Sequence, residues 1–314
     1  MLAHELNLIA LDLGADSGRA IIGRLAGDTL TLEEAHRFPN EPVYVGKHLY
    51  WDLPRLVLEI KRGIRAAGQK VDRIDGIAVD TWGVDFGLLD STGELLANPV
   101  HYRDHRTDQI LPEVFAQIPV EELYAETGIQ IMSINTSCQL AALQRENPSL
   151  LGSAKQLLFM PGLLSYLLCG VQANDETIAS TSQLYHPIQG NWSAKLLEKL
   201  ALPKELFQAP VVKPGTKLGS LTPDVVKELG VTGQVLAVAG HDTQSAIAAV
   251  PTNEENFIYI SCGTWSLVGT ELKQALISED SRLNSLTNEI GVGDTINYLE
   301  NVIGLWLLQQ CRVS

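Results

Sequence analysis

The chain has 314 residues, 45% of them hydrophobic and 19% charged, and its formal net charge at pH 7 is −14. This composition is typical of a globular α/β protein and excludes the disordered and fibrous classes. The negative charge argues against a nucleic-acid partner, because a phosphate-neutralising surface needs clustered lysine and arginine. The length predicts about two domains at roughly 150 residues each, and we expect them at residues 1–245 and 256–314.

No targeting or membrane segment is predicted. The start, MLAHELNLIALDLG, lacks the basic region and cleavage site of a secretory signal, and no apolar run approaches the ~18 residues of a membrane span. The cysteines Cys138, Cys169, Cys262 and Cys311 are widely spaced and match no zinc pattern. We therefore expect free thiols, a cytoplasmic location and no membrane partner.

The first elements in chain order are three antiparallel strands. Leu6–Leu13 reads as an apolar strand, residues 14–18 as a tight turn, and residues 19–25 and 29–38 as returning strands. A helix capped by Asp52 and a buried strand over residues 74–80 follow. The helix is predicted from apolar residues at helical spacing, which are Leu53, Leu56, Val57, Ile60 and Ile64. A Rossmann domain would place a helix directly after its first strand, so this order disfavours that fold.

The later part of the chain predicts a helical insertion and a second strand pair. Residues 104–200 are expected to be mostly helical, and a strand over 235–239 precedes a helix in GHDTQSAIAAV. A strand from Phe257, a turn at residues 261–264 and the returning strand Trp265–Leu272 then repeat the pattern of the first strand pair. The similarity lies in pattern and not in letters, so it is weak evidence for duplication. Its spacing fits two α/β lobes that face each other.

Two glycine turns are candidate phosphate sites, because the familiar nucleotide-binding motifs are absent. In ALDLGADSGRA, Gly14 and Gly18 let the backbone approach an anion, and Ser17 adds a hydroxyl. Asp12 lies at the strand end, where it is placed to hold Mg²⁺ through water. The turn at Thr264 offers a second such cradle. Each turn alone is equally well read as a plain hairpin, but two turns on facing lobes would grip the phosphates of a nucleotide.

Asp242 is the candidate general base of such a reaction. It follows a predicted strand and begins a predicted helix, where a carboxylate is placed to accept a proton from a sugar hydroxyl. The alternative is that Asp242 is simply the N-cap of that helix. Aromatic and polar residues in TWGVD (81–85) and HYRDHR (101–106) are suited to bind a sugar, and a solvated loop is the alternative for the second stretch.

Taken together, these motifs resemble the FGGY carbohydrate kinases of the actin-like ATPase superfamily. The stretches that carry the resemblance occur in the expected order along the chain, and they are DLGADSGR, YWD, DTWGVDFGLLD, YRDHRT, GHDT, SCGTWSLVG, TNE and NVIGLWLLQ. The resemblance implies an α/β actin-like ATPase (ribonuclease H-like) fold with a complete first lobe and only the start of the second. It also implies ATP and Mg²⁺ as cofactors and phosphorylation of the 1-hydroxyl of L-rhamnulose.

The resemblance also implies a role for each matching residue. Asp242 would be the catalytic base, and Asp12 would orient the metal. The sugar would be bound by Gly83, His241, Asp242, Thr243 and Asn301. ATP would be bound by Ala15, Asp16, Ser17, Gly18, Arg19, Thr264 and Gln309.

Three features depart from the family pattern. Ile290 follows the TNE stretch where the family usually has glycine, so that loop is expected to differ. Asp16 stands where the family often has serine, which puts an acid beside the phosphate turn and would weaken ATP binding unless it points outward. Family members also continue well past residue 314, so we expect a truncated chain that lacks most of the adenosine pocket and has a poorly packed second lobe. A kinase for another deoxy-ketose or pentulose, or an inert sugar-binding remnant, therefore stays open as an alternative.

Overall fold

The computed structural model describes residues 5–306, 308 and 311. The strands are, in chain order, β1 (Leu6–Leu13), β2 (Ser17–Ala26), β3 (Thr29–Pro39), β4 (Val43–Val45), β5 (His48–Tyr50), β6 (Gly76–Thr81), β7 (Phe86–Leu89), β8 (Gln156–Phe159), β9 (Asn174–Asp175), β10 (Tyr185–His186), β11 (Asn191–Trp192), β12 (Val211–Val212), β13 (Lys217–Ser220), β14 (Gln234–Leu236), β15 (Tyr259–Cys262), β16 (Trp265–Leu272), β17 (Thr287–Ile290) and β18 (Ile296–Ile303). The helices are α1 (Leu53–Gly68), α2 (Leu111–Gln117), α3 (Val120–Thr127), α4 (Thr136–Glu146), α5 (Pro148–Ser153), α6 (Met160–Cys169), α7 (Glu176–Ser180), α8 (Ala194–Lys199), α9 (Pro223–Leu229), α10 (Asp242–Ala248) and α11 (Glu279–Leu283). Within the described residues, no helix is both long and apolar enough to cross a bilayer.

The larger sheet brings the ends of three strands to one edge. Its strand order is β13-β14-β6-β1-β2-β3. Strand β1 runs parallel to β6, which runs parallel to β14, whereas β2 returns antiparallel to β1. Parallel neighbours end on the same side, so residues at or just after the carboxyl ends of β1, β6 and β14 lie close together. The register pairs Asp12 with Asp80 at this edge.

Helix α1 covers one face of the larger sheet. Asp52 accepts a hydrogen bond from the Arg55 N–H at 3.1 Å, which confirms the predicted N-cap. Leu56, Ile60 and Ile64 are buried in the core beneath the helix, as their helical spacing predicts. Removal of this apolar stripe from water holds the helix on the sheet.

The predicted helical segment over residues 104–200 is confirmed. Helices α2 to α8 occupy it, although it also contributes strand β8, which pairs with β7. The helices have a core of their own, which includes Ile110, Leu123, Leu140, Leu157 and Ile178. This body forms one wall beside the carboxyl edge of the larger sheet.

The smaller sheet has the order β15-β16-β18-β17, and its first two strands form the predicted second hairpin. Among the described residues, its own apolar core is the cluster of Ile247, Tyr259, Leu267 and Leu299. Ile260 remains 63% exposed. Ile290 and Ile296 of the same sheet pack into the core of the helical segment. The expectation of a poorly packed second lobe and the proposed domain limits, 1–245 and 256–314, therefore stay predictions.

Candidate active site

A cleft of about 440 Å³ lies between the carboxyl edge of the larger sheet and the β15–β16 turn of the smaller one. Most of the sequence-predicted site residues line it, and these are Asp12, Ala15, Asp16, Ser17, Arg19, Gly83, His241, Asp242, Thr243, Thr264 and Asn301. They include residues of the β1–β2 turn of the larger sheet and of the β15–β16 turn of the smaller one, so the two glycine turns face the same cleft. Gln309, a predicted ATP contact, lies outside the described residues.

Gly18 is the exception among the described site predictions, because it does not line the cleft. It is buried in the larger sheet, where the register sets it opposite Phe38 of β3. A Cβ added at Gly18 would overlap the Phe38 ring. The missing side chain thus serves the packing of neighbouring strands, and a contact of Gly18 with phosphate stays a prediction.

The β1–β2 turn is held by its own backbone. The Gly14 N–H donates to the Ser17 carbonyl at 2.9 Å, and the Asn40 side-chain amide donates to the Gly14 carbonyl at 2.9 Å. Asp12 and Arg19 are cross-strand partners at the base of the turn, and Arg19 Nε lies 3.0 Å from Asp12 Oδ2. A cation and an anion therefore flank the turn on the cleft side.

The two glycine turns meet across the mouth of the cleft. The Thr264 hydroxyl donates a hydrogen bond to Asp16 Oδ2. Asp16 therefore faces the opposite turn and lines the cleft. The expectation that an acid at this position weakens ATP binding unless it points outward stays a prediction.

We expect Asp16→Ser to bind ATP several-fold more tightly than the unaltered chain. The substitution removes a full negative charge beside the turn proposed for phosphate, and two charges about 4 Å apart in water interact by about 1 kcal/mol. Calorimetric titration with ATP and Mg²⁺ measures the change, which should shrink as salt is added. Asp28→Ser, in the exposed β2–β3 turn, is the matched control and should leave affinity unchanged. Unchanged or weaker binding by Asp16→Ser contradicts the prediction.

Asp242 stands at the carboxyl edge because the backbone continues in line with β14. The Thr81 N–H donates to the Gly240 carbonyl at 2.8 Å, beyond the last ladder pair of β14. Helix α10 begins at Asp242, and His241 is its N-cap, so the interpretation of Asp242 as the N-cap is wrong. Asp242 Oδ1 accepts the Thr243 N–H at 2.6 Å.

The environment of Asp242 suits proton transfer. Its side chain is 33% exposed and faces the cleft. Burial raises the pKa of the Asp242 carboxyl, an effect that the nearby charge of His241 opposes. A carboxylate with a raised pKa is a better proton acceptor than an ordinary one, which is what a general base requires.

Two contacts unforeseen from the sequence fix predicted residues at the cleft. Gln130 Oε1 accepts both the Asn301 side-chain amide and the Asn301 backbone N–H at 3.1 Å. Glu289 of β17 lies 2.9 Å from His241 Nδ1. The sequence signal for Glu289 was the TNE stretch, to which no role was assigned, and Gln130 had no local signal at all.

One wall of the cleft is built on a buried carboxylate. Asp85 Oδ2 accepts hydrogen bonds from Trp51 Nε1 at 2.6 Å, Trp82 Nε1 at 3.1 Å and the Tyr102 N–H at 3.1 Å. Asp85 Oδ1 accepts one from Gln139 Nε2 at 2.8 Å. Trp82 and Tyr102 line the cleft, so the aromatic stretches predicted to bind sugar do reach it.

Burial raises the pKa of Asp85 to about 6, because lost hydration outweighs the hydrogen bonds that it accepts. A carboxyl with a raised folded-state pKa binds protons more readily in the folded than in the unfolded chain. Its contribution to the free energy of unfolding is therefore largest below pH ~4 and falls as pH rises to about 6.

We expect this pH dependence to disappear in Asp85→Asn. Urea unfolding of both proteins between pH 4 and 7 gives the difference in unfolding free energy, wild type minus variant. That difference should fall by up to about 3 kcal/mol as pH rises from ~4 to ~6, and then level off. Parallel curves for the two proteins contradict the raised pKa. Asp90→Asn, at an exposed turn whose carboxyl has a lowered pKa, is the control and should not show this fall.

The donor set at the edge fits a divalent cation that also contacts phosphate. Burial and the charges of Asp12 and Asp242 raise the pKa of Asp80 well above its usual range, because several carboxyl groups are crowded at this edge. In the described residues, no group of three His, Cys, Asp or Glu side chains is arranged to hold a metal ion. Mg²⁺ typically takes one or two protein carboxylates and completes its shell with phosphate oxygens and water, which this edge allows.

Two family models match this chain. The N-terminal domain of the FGGY family of carbohydrate kinases matches residues 7–249, and the C-terminal domain of the same family matches residues 258–314. The chain therefore belongs to the FGGY family of carbohydrate kinases. The resemblance inferred from the motifs is confirmed.

Curated relatives are named rhamnulokinase. One from Bacteroides thetaiotaomicron is 44% identical over 309 residues, and one from Oceanobacillus iheyensis is 41% identical over 304 residues. These matches cover 98% and 97% of this chain and 64% of each relative. The chain thus spans somewhat less than two thirds of the length of these relatives.

Solved structures share the fold. A ligand-bound xylulose kinase from Lactobacillus acidophilus superposes with a TM-score of 0.84 at 18% identity, covering 98% of this chain and 62% of that one. Plasmodium falciparum glycerol kinase with ADP gives a TM-score of 0.78 at 16% identity, covering 98% and 64%. The predicted α/β actin-like ATPase fold is confirmed.

Proposed function

We propose that this chain carries the phosphoryl-transfer site of an ATP-dependent sugar kinase. The reaction transfers the γ-phosphoryl group of ATP to the 1-hydroxyl of L-rhamnulose and yields L-rhamnulose 1-phosphate and ADP. One observation carries the proposal, namely that the Asp242 carboxylate lines the same cleft as both glycine turns. The names of the relatives and the family match support the choice of a sugar kinase and of this ketose.

Asp242 is the proposed catalytic residue. Its carboxylate accepts the proton of the sugar 1-hydroxyl as that oxygen forms a bond to the γ-phosphorus. The bond from the γ-phosphorus to the bridging oxygen breaks, and the electron pair leaves on ADP. The proton acceptor must lie within hydrogen-bond reach of the hydroxyl, and the 33% exposed side chain of Asp242 is open to the cleft for this purpose.

The β1–β2 and β15–β16 turns form the proposed binding site for the phosphates of ATP. Ala15, Ser17 and Arg19 present backbone groups, a hydroxyl and a guanidinium on one side, and Thr264 presents a hydroxyl on the other. Positioning and charge neutralisation are the main requirements of phosphoryl transfer. Asp12 is the proposed partner of Mg²⁺, which when bound neutralises charge on the phosphates.

The proposed sugar pocket lies on the other side of Asp242. A Cβ at Gly83 would come within 3.4 Å of His241 Nε2 and 3.5 Å of Thr181 Oγ1, so glycine leaves room there for a hydroxyl-bearing ligand. Thr243 and Asn301 add polar groups, and the Trp82 and Tyr102 rings add apolar surface. Such a mixture suits the two faces of a sugar.

A coupled assay of ADP release tests the proposal. The chain is incubated with ATP, Mg²⁺ and either L-rhamnulose or a panel of other deoxy-ketoses and pentuloses. We expect the highest kcat/KM with L-rhamnulose, and ³¹P NMR of the product should show a phosphate ester at carbon 1. Preference for another ketose would change the proposed substrate, but the proposed class of enzyme would still be a sugar kinase. Absence of turnover with every ketose would refute kinase activity of this chain.

A second candidate, sugar binding without turnover, is favoured by one observation. The smaller sheet has a thin core and leaves Ile258, Ile260 and Ile303 exposed at 79%, 63% and 59%. The sugar-side groups, by contrast, belong mainly to the well-packed larger sheet and the helical insertion. Calorimetric binding of L-rhamnulose without ADP release would identify this function.

We also propose a cytoplasmic location and small-molecule partners, a sugar and ATP. Free thiols at Cys138, Cys169 and Cys262 support a reducing compartment. The net charge of −14 argues against nucleic acid as a further partner.

A further inference from the structure

Glu289 of the smaller sheet reaches the residue next to the proposed base. Its side chain is only 6% exposed, and Oε2 lies 2.9 Å from His241 Nδ1. On the other side of the same ring, His241 Nε2 lies 3.6 Å from Asp242 Oδ1. A carboxylate, an imidazole and a second carboxylate thus form a row that crosses from one sheet to the other.

The position of Glu289 is fixed by neighbours that carry no charge. Gln244 Nε2 donates to Glu289 Oε2 at 2.7 Å, and the Asn297 side-chain amide donates to Gln244 Oε1. Both amides are buried, with 0% and 1% exposure. Since buried side-chain amides in hydrogen bonds rarely change rotamer, this chain of contacts holds the Glu289 carboxylate against the histidine.

His241 has anionic neighbours on three elements, and the uncharged residues Thr81 and Gly83 pack against it at the end of β6. Glu289 faces it from β17, Asp242 from α10, and Asp175 from the N-cap of α7. Burial alone would lower the pKa of His241, but the charge of Glu289 and then those of Asp242 and Asp175 outweigh it and raise that pKa. The raised pKa favours the ring form that has protons on both Nδ1 and Nε2, and in that form the ring presents a positive charge to Asp242.

We propose that Glu289 is a positioning residue that acts through His241 to keep Asp242 ionised and correctly placed for proton abstraction. This deepens the proposed function, on which it rests. Glu289 contributes no contact of its own to the reacting atoms in this scheme. Because it comes from the smaller sheet, the ionisation of the base depends on the seating of that sheet against the larger one.

The alternation of negative, positive and negative charge along Glu289, His241 and Asp242 predicts how the pKa of Asp242 changes when the first charge is removed. Without the Glu289 carboxylate, the pKa of His241 falls, and its ring becomes neutral at lower pH. Asp242 then loses a neighbouring cation while Asp12 still opposes its ionisation, so the pKa of Asp242 rises. The pH at which activity falls on the acid side should therefore move upward in a variant without this charge.

The test is a pair of NMR titrations in Glu289→Gln and in the unaltered chain. The His241 ring and the Asp242 carboxyl carbon are followed against pH, which requires no turnover and separates this proposal from kinase activity itself. We expect the pKa of His241 to fall and that of Asp242 to rise. Glu271→Gln is the matched control, because Glu271 lies on the same sheet and accepts a hydrogen bond from Thr295 Oγ1 at 3.0 Å.

The outcomes separate a positioning role from a merely structural one. An unchanged pKa of His241, or a fall in it without any rise at Asp242, overturns the proposal. If Glu289→Gln does not fold, Glu289→Asp keeps the charge but shortens its reach, and a smaller fall at His241 is expected. No change at His241 in that variant also overturns the proposal. Where turnover is measured, the acid limb of kcat/KM should shift upward in Glu289→Gln and not in Glu271→Gln.

Discussion

Asp242→Asn should abolish most turnover while leaving sugar affinity within a few-fold of the unaltered chain. The amide keeps the size of the side chain and an oxygen for the Thr243 N–H, but it does not accept the proton of a hydroxyl. Loss of a positioned general base typically reduces the rate by about 10²- to 10⁴-fold. ADP release measures the rate, and calorimetry with L-rhamnulose measures the affinity.

Asp224→Asn is a matched control for this experiment. Asp224 also lies in the first turn of a short helix, α9, but it is exposed and is not among the residues that line the cleft. Its substitution should alter the stability of that helix by a few tenths of a kcal/mol at most and should leave turnover intact. Equal loss of activity in both variants, or full activity in Asp242→Asn, would remove Asp242 from the mechanism.

The pH profile adds an independent check on Asp242. An ordinary aspartate has a pKa of about 3.9. Because burial raises the pKa of the Asp242 carboxyl, activity should decline on the acid side at a pH above that value. The carboxylate form is the active one, so activity is retained above this pKa and is lost as pH falls through it. That acid limb should be absent from the residual activity of Asp242→Asn.

Gly240→Ala is expected to have the largest effect on stability among single substitutions near the site. A Cβ at Gly240 would overlap Asp175 Oδ2 and lie 2.8 Å from Pro161 Cγ. The Asp175 carboxylate cannot simply move, since it accepts hydrogen bonds from the backbone N–H groups of Gly240, Thr177 and Ile178. Overpacking of this kind costs about 1–3 kcal/mol, and we expect the upper end of that range.

The same substitution should also reduce activity, because Gly240 precedes the proposed base by two residues. Its carbonyl accepts the Thr81 N–H at 2.8 Å and so fixes the loop to β6. A displacement of about 1 Å in a reacting group lowers the rate by roughly 10²-fold. Urea unfolding and ADP release measure the two effects on the same protein.

Gly152→Ala is the control for Gly240→Ala. Gly152 lies in helix α5, and a Cβ there meets nothing within 4 Å. Alanine in a helix is favoured over glycine by about 0.5–1 kcal/mol, so this variant should be as stable as the unaltered chain or slightly more stable. If Gly240→Ala unfolds at the same urea concentration as Gly152→Ala, the close packing around Gly240 is not as described.

The sequence predicted the parts of the site that depend on local pattern. Asp12 and Asp242 were placed at the ends of apolar runs, and the parallel order of β1, β6 and β14 brings those ends together. Thr264 was predicted from its glycine turn alone. The predicted positions agree with the structure because a strand followed by a turn puts the next polar residue at a sheet edge, whereas the roles of these residues stay predictions.

The parts that depend on pairing between distant segments were not predicted. Gly18 was assigned to phosphate contact, but its Cα faces Phe38, which only the β2–β3 register reveals. The strand predicted over residues 235–239 ends at Leu236, because residues beyond it pair with β6 only through the Thr81–His241 bridge. Glu289 meets His241 across 48 residues of sequence, and no local signal predicts that contact.

The cleft is crossed near its mouth by Asp16 and Thr264 and deeper inside by His241 and Glu289. An exposed hydrogen bond contributes only about 0.5–1.5 kcal/mol, whereas separation of a buried ionic contact leaves an uncompensated charge and costs about 3–5 kcal/mol. The rim contact therefore costs less to open than the interior one, and we expect a movement that admits a ligand to begin at the rim. The proposed sugar and nucleotide would then enter without separation of His241 from Glu289.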